Sequence, residues 1–551
     1  MYGRSMSLGQ APKQGELWRS TSAYCEAKLS PTSIYSLLHR ECHRLFPDEA
    51  FEDLFRDIGR RSIPPRLVAV VMVLQRLEGL SDREAVDRFS FDVRWKYAAG
   101  GLDFEYPGFV HTVLVDMRER LRRSKDPDRI FRTVLEVAKA AGLVGRRRVL
   151  DSTPLYDAVA TQDTVTMIRA AIRGLLRVAG DALAPELRGL LKREDDYSSA
   201  GKPACDWDDR VAREALVDAL ARDAYALLAY LDGRELVAQV REAAALLAKV
   251  VGQDLEQTAD DTFRIARRVA PDRVISTVDP EARHGHKTQA RGFDGYKGHV
   301  AIDPDSEIIT SSTVTPGNVA DGSVAKELLK EALGTETPQQ HEPSTAAATS
   351  AASTEPKASA DQEPVEVYGD SSYGTGEVLE HLESAGACAH VKVQAPAAPD
   401  GIIAKDAFNI DLARDTVTCP AGQLVQIRRR KDGSGVASFG AHCGRCPLEA
   451  SCTKSKEGRN VTVNQREHLL QHARTAQKRP AWRAGYKATR PKVERKLAHL
   501  MRRRHGGRRA RVRGTERVTR EFQMLCAAEN LRRLATLGLR REQGSAAGWV
   551  V

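Results

Sequence analysis

The chain has 551 residues, 42% of them apolar and 29% charged, with a formal net charge of +10. That length exceeds one hydrophobic core and implies two to four domains. No window approaches the roughly 18 apolar residues of a membrane helix, and Met1-Tyr2-Gly3-Arg4-Ser5 lacks the apolar core of a signal peptide, so a cytoplasmic chain with reduced cysteines is expected.

The charge is concentrated. Between Ala473 and Arg520, 18 lysines and arginines face only two acids, Glu494 and Glu516. That segment carries about +16 and leaves about −6 for the rest of the chain, a distribution suited to a polyanionic partner.

In chain order, residues 30–140 read as helical. Ile63-Pro64-Pro65-Arg66 opens a helix, with Leu67, Val70, Val71, Leu74 and Leu77 on one stripe and Gly79-Leu80 ending it. Ser81 with Glu84 is a capping-box pattern that starts a second helix, Asp82 to Phe89, and Phe109 to Leu121 gives a third. The first pair is either a DNA-reading helix-turn-helix or an ordinary packing unit.

Arg148-Val149-Leu150-Asp151 predicts a short strand ending at an aspartate. Helical periodicity then returns over residues 160–270, an insertion whose acid runs at 193–196 and 206–209 read as solvated loops. From Val274 the period becomes two. Tyr296 to Ile302 and Glu307 to Val314 form a hairpin around an Asp303–Ser306 turn, and Asp321 to Ala332 a helix capped by Asp321. Residues 335–364 have the composition of a disordered linker. Val365 to Tyr368 is a strand leading to Asp370, followed by a helix over Gly376–Glu383 and a strand over Ala389–Val393. Helices over Pro491–Arg504 and Thr519–Leu537 finish the chain. This is an α/β order, in which ligands gather at the carboxyl ends of strands, where Asp151 and Asp370 are expected.

Cys419, Cys443, Cys446 and Cys452, with a Cys-x2-Cys pair at their centre, predict a tetrahedral structural zinc site, an iron–sulfur cluster being the alternative. Arg428-Arg429-Arg430-Lys431 beside it reads as a DNA contact or a solvated loop. Three carboxylates supplied by rigid elements can hold two Mg2+ or Mn2+ ions about 3.5–4 Å apart, the arrangement that phosphodiester chemistry uses. Asp151, Asp370 and Glu494 are the three. Val493, Leu497 and Leu500 form the buried stripe of the last of these elements, with Glu494 at its margin. Taken alone, Arg490 and Glu494 read as a surface ion pair one helical turn apart.

Asp151-Ser152-Thr153, Phe293-Asp294-Gly295-Tyr296-Lys297-Gly298-His299, Val314-Thr315-Pro316-Gly317-Asn318-Val319-Ala320-Asp321, Tyr368-Gly369-Asp370 and Arg490-Pro491-Lys492-Val493-Glu494-Arg495-Lys496 together resemble the DDE transposases of bacterial insertion sequences. The resemblance is to the group with a helical amino-terminal domain and a four-cysteine module before the glutamate, and it runs from about residue 30 to 540. It implies a ribonuclease-H-like mixed sheet, two-metal cleavage of DNA and strand transfer into a target. It further implies double-stranded partners (terminal inverted repeats and target DNA), a homodimer or larger assembly on DNA, and association with the nucleoid. Asp151, Asp370 and Glu494 take the catalytic, Mg2+-binding positions. Tyr486 and Arg490 match the tyrosine and arginine that contact DNA, with Lys496, Arg502, Arg503 and Arg504 as further contacts. Two departures stand out. The gap from Tyr486 to Arg490 is three residues rather than two, and Met501 occupies the place of a lysine. Asp294 is the alternative acid.

The expected organisation is a helical DNA-binding domain at 1–140, the first catalytic strand at 141–159 and a helical insertion at 160–272. The sheet core follows at 273–397, the cysteine module at 398–470, and the glutamate helix with basic helices at 471–551. A non-catalytic DNA-binding derivative and a simple nuclease are the competing classes.

Overall fold

A computed structural model of the chain describes residues 20–55, 62–195, 197–288, 290–334, 363–396, 398, 401–542 and 548–551. They belong to two compact units: Met1–Val144 with Arg503–Gly506 and Gln523–Val551, and Gly145–Arg502 with Gly507–Phe522. Most of the expected linker, residues 335–362, lies outside the described residues.

The first unit is helical, with Thr21–Glu26, Ile34–Leu45, Pro65–Glu78, Asp82–Phe91, Val93–Ala98, Thr112–Arg123 and Arg129–Ala140. Its Pro65–Glu78 helix is buried from Leu67 to Leu77, as the nearly unbroken apolar run requires. Gly79, at φ 68°, stops it, and a Cβ there would lie 2.3 Å from the Arg504 carbonyl oxygen. Both halves of the Ser81–Glu84 capping box form. The six-residue Val93–Ala98 helix was not expected, being too short to display a period. His505 and Glu529, both fully buried, pair at 2.9 Å. Burial works against the Glu529 charge, but His505 and Arg532 outweigh it and hold the carboxyl at about 2.

The second unit is built on a mixed sheet of β1 (Arg147–Tyr156), β2 (Arg283–Thr288), β3 (Arg291–Ile302), β4 (Ile309–Pro316), β5 (Glu366–Gly369) and β6 (Cys388–Val391). The order is β2-β3-β1-β5-β6, with β4 also on β3. β1 runs antiparallel to β3 and parallel to β5, and β5 runs parallel to β6. The Asp303 turn forms as expected, its carboxylate accepting from the Asp305 and Ser306 amides.

Three expectations are corrected here. β1 is ten residues long and pairs with β3 as far as Tyr156, so Asp151 lies mid-strand, opposite Val300, rather than at a strand end. The polar β2 strand (Arg-His-Gly-His-Lys-Thr) was missed because no apolar alternation marks it. The helix after Asp321 is a single 3-10 turn, Asp321–Val324, followed by Ala325–Leu329. No side-chain capping bond forms at its start, because the Asp321 carboxylate is engaged elsewhere.

The insertion forms helices Thr164–Val178, Gly180–Gly189, Arg210–Leu231 and Ala238–Asp254 around its own core of Ile168, Ile172, Leu175, Leu220, Leu227 and Leu247. Its acids are structural. Asp195 accepts from the buried Arg169 at 2.7 Å, and Asp209 caps the third helix. A second, antiparallel sheet, β7 (Asn409–Asp411), β8 (Thr416–Thr418), β9 (Leu424–Arg429), β10 (Gly435–Ser438) and β11 (Asn460–Val463), follows in chain order. Helices Glu467–Ala476, Pro480–Thr489 and Pro491–Leu500 come next, and Thr515–Leu537 closes the series. Its Phe522 ring lies against Gly298 of β3, where a Cβ would come within 2.8 Å of the ring. No described helix is long and apolar enough to cross a membrane.

Candidate active site

The parallel register of β1 and β5 brings two aspartates level. Val149 pairs with Tyr368, so Asp151 and Asp370 each stand two residues further along neighbouring strands. The Pro491–Leu500 helix buries Val493, Leu497 and Leu500 and leaves Glu494 at its margin, as its spacing predicts.

All three carboxylates meet one guanidinium. Arg490 Nη2 lies 2.9 Å from Asp151 Oδ1 and 3.7 Å from Asp370 Oδ2, and its Nη1 lies 3.7 Å from Glu494 Oε1. Side chains more than 100 positions apart in the chain therefore converge within the second unit. The Arg490–Glu494 ion pair is real but is one of three.

The three acids differ in environment. Asp151 is 9% exposed, and burial, the largest influence, pushes its carboxyl up to about 6; Arg490 opposes this and Asp370 adds to it. The Ser152 amide donates to Asp151 Oδ1 at 2.8 Å and the Ser372 amide to Asp370 Oδ1 at 2.9 Å, so the backbone fixes both carboxylates. The Glu494 side chain is 65% exposed and the freest to move.

Arg490 itself is 7% exposed. Burial disfavours its charge, but Asp151 and Asp370 outweigh that and hold its pKa above the ordinary arginine value. Its Nε and Nη1 make no hydrogen bond. Arg490 is turned inward onto the acids.

Lys496 is 1% exposed, on the buried side of its helix with Val493, Leu497 and Leu500. Arg503 and Arg504 are exposed and Arg502 half-buried. Tyr486 is half-buried, donates to the Gly369 carbonyl at 3.3 Å beside Asp370, and stacks on Trp482 with ring centroids 4.9 Å apart. Trp482 was missed, although its i, i+4 spacing from Tyr486 in a basic helix was a readable sign. Of the other acids, Asp294 pairs with His284 and Thr161, and Asp279 accepts from Tyr296. Neither is bound to the triad.

The four cysteines line one small cavity of about 20 Å3 together with His442 and Glu449. The Arg459 amide donates to Cys443 Sγ at 3.3 Å. Burial, with the other three thiols close by, pushes Cys452 up. Among the described residues, no three His, Cys, Asp or Glu side chains stand close enough to share one ion. In the triad Arg490 lies within 3.7 Å of each acid, and in the cysteine module the four thiols line one cavity. The donor types are those each ion prefers, hard oxygens for Mg2+ and soft thiols for zinc.

Two family models match the chain, a transposase domain (DUF772) over residues 25–120 and a transposase DDE domain over residues 418–535. The chain carries the domains of a DDE-type transposase. Neither a curated protein nor a solved structure matches it. The first matched span falls in the helical unit of the transposase. The second contains the four cysteines, Tyr486, Arg490 and Glu494, while Asp151 and Asp370 lie outside both and are joined to Glu494 by geometry alone.

Proposed function

We propose that this transposase cleaves DNA at the ends of its element and joins the freed 3′ end to target DNA, with Asp151, Asp370 and Glu494 as the ligands of two divalent ions. The convergence of these three carboxylates on one guanidinium carries the reading, since acids gathered beside a strongly basic segment have little other use. Bound there, Mg2+ or Mn2+ would polarise the scissile phosphate and activate the attacking oxygen. The protein's own contribution is rigidity. The Ser152 and Ser372 amides aim two carboxylates, β1 and β5 fix their spacing, and Glu494 closes from a helix. The strand order β4-β3-β1-β5-β6, with only β3 antiparallel to its neighbours, supports a ribonuclease-H-like core.

Double-stranded DNA would follow the exposed basic residues of the 473–520 segment, Arg503 and Arg504 among them. Cys419, Cys443, Cys446 and Cys452 would hold a structural zinc that braces the β7–β11 sheet. The helical first unit would supply recognition of the element ends, and a homodimer or larger assembly would hold two ends together.

Asp370→Ala tests the catalytic reading. It removes a metal ligand and no DNA contact, so cleavage and strand transfer should vanish while end binding stays within about twofold. Strand transfer retained in this variant would reject the triad.

A further inference from the structure

On the face of β1 opposite Asp151 lies a second charged group whose link to the site is a single peptide unit. Asp321 is 8% exposed. Its Oδ2 accepts from Ser152 Oγ at 2.7 Å and its Oδ1 from Lys297 Nζ at 2.8 Å, while the same lysine also donates to the Val319 carbonyl at 2.8 Å. The Ser152 amide is in turn the donor that fixes Asp151 Oδ1. Asp321 therefore holds by its side chain the residue whose backbone aims the most buried carboxylate of the triad. The neighbours of this group are equally ordered. Tyr373, fully buried after the Asp370 turn, is acted on by the charges of Asp321, Asp151, Asp370 and Arg490, and His299 bonds Thr315 at 2.9 Å.

We infer that Asp321, acting through Ser152 and neutralised by Lys297, is a positioning residue that sets the orientation of Asp151 for divalent-ion binding. The inference rests on the triad reading above. A carboxylate buried against a lysine adds no net charge to the sheet. What it supplies is a fixed acceptor: a hydroxyl held by an ionised oxygen cannot rotate, so the Ser152 amide stays aligned with Asp151. Without that acceptor the Ser152 side chain no longer braces the peptide that donates to Asp151, which is then held only by the pairing of β1 with β3.

The experiment is a Mn2+ titration of the purified full-length chain, read by the spin-resonance signal of free Mn2+, with thermal melting in parallel. Ser152→Ala and Asp321→Asn should each weaken Mn2+ binding on the order of tenfold, the usual effect of removing a partner of a metal ligand. Ser152→Thr, which keeps the hydroxyl, should restore it, and the melting temperature of Ser152→Ala should stay near wild type. Wild-type Mn2+ affinity in both Ser152→Ala and Asp321→Asn, or a loss that Ser152→Thr does not rescue, would overturn the inference. Asp370→Ala separates the two claims. If it loses Mn2+ while Ser152→Ala and Asp321→Asn do not, the positioning role alone fails; if it too binds Mn2+ as wild type does, the triad and the positioning role fail together.

Discussion

Burying a carboxylate that must later hold a cation costs stability that pH can reveal. Asp151 titrates near 6 instead of 3.8, chiefly because burial disfavours its ionised form. Between those values the folded chain binds the proton more tightly than the unfolded chain does. Stability therefore falls as pH rises through that window, and the full cost is present above about 6. At 1.36 kcal/mol per pH unit, that cost is about 3 kcal/mol. Between pH 5 and pH 8 it grows by about 1 kcal/mol, because part of the change has already occurred by pH 5. Asp151→Asn cannot titrate there. Loss of the Arg490 partner offsets its stability by an amount that does not vary with pH, so the slope is the informative quantity. Urea unfolding of metal-free wild type and Asp151→Asn at pH 5, 6, 7 and 8 should show wild type losing about 1 kcal/mol relative to the variant. Parallel stability curves would refute the argument, since they would mean that Asp151 is ionised at no cost and is not held in a desolvated site.

Three further outcomes follow from particular contacts. Gly298→Ala places a methyl within 2.8 Å of the Phe522 ring and should lower unfolding stability by about 1–3 kcal/mol, which urea titration would measure. Replacing Arg502, Arg503 and Arg504 by alanine should weaken DNA binding and reduce the slope of log affinity against log salt by about 2, because two of the three are exposed and each phosphate contact contributes roughly 0.9; binding assays from 50 to 200 mM salt would show it. Cys443→Ser should abolish zinc in elemental analysis of the purified chain, and an absence of metal from wild type would remove the zinc reading.

Local signals in the chain determined a good deal. Ser81 and Glu84 capped the helix they were expected to cap, Gly79 ended the one before it, and the stripe of Val493, Leu497 and Leu500 left Glu494 at the margin of its helix. Each depends on neighbours within a turn or two, where spacing fixes geometry. The motifs around Asp151, Asp370 and Glu494 also picked out the three acids that the fold gathers on Arg490. Strand length was not: β1 continues past Asp151 because β3 lies alongside it, and no residue within β1 announces that partner. The directions of Arg490, Lys496 and Asp321 were equally hidden. A basic run reads as uniformly exposed, yet Arg490 faces carboxylates from β1 and from the turn after β5, and Lys496 is buried. Asp321 leaves its own turn for Lys297 and Ser152. Sequence supplies the charges and the local axes along which they lie. Which charges meet depends on sheet register and helix docking, because Coulomb attraction and desolvation act through space, and only the folded chain sets those distances.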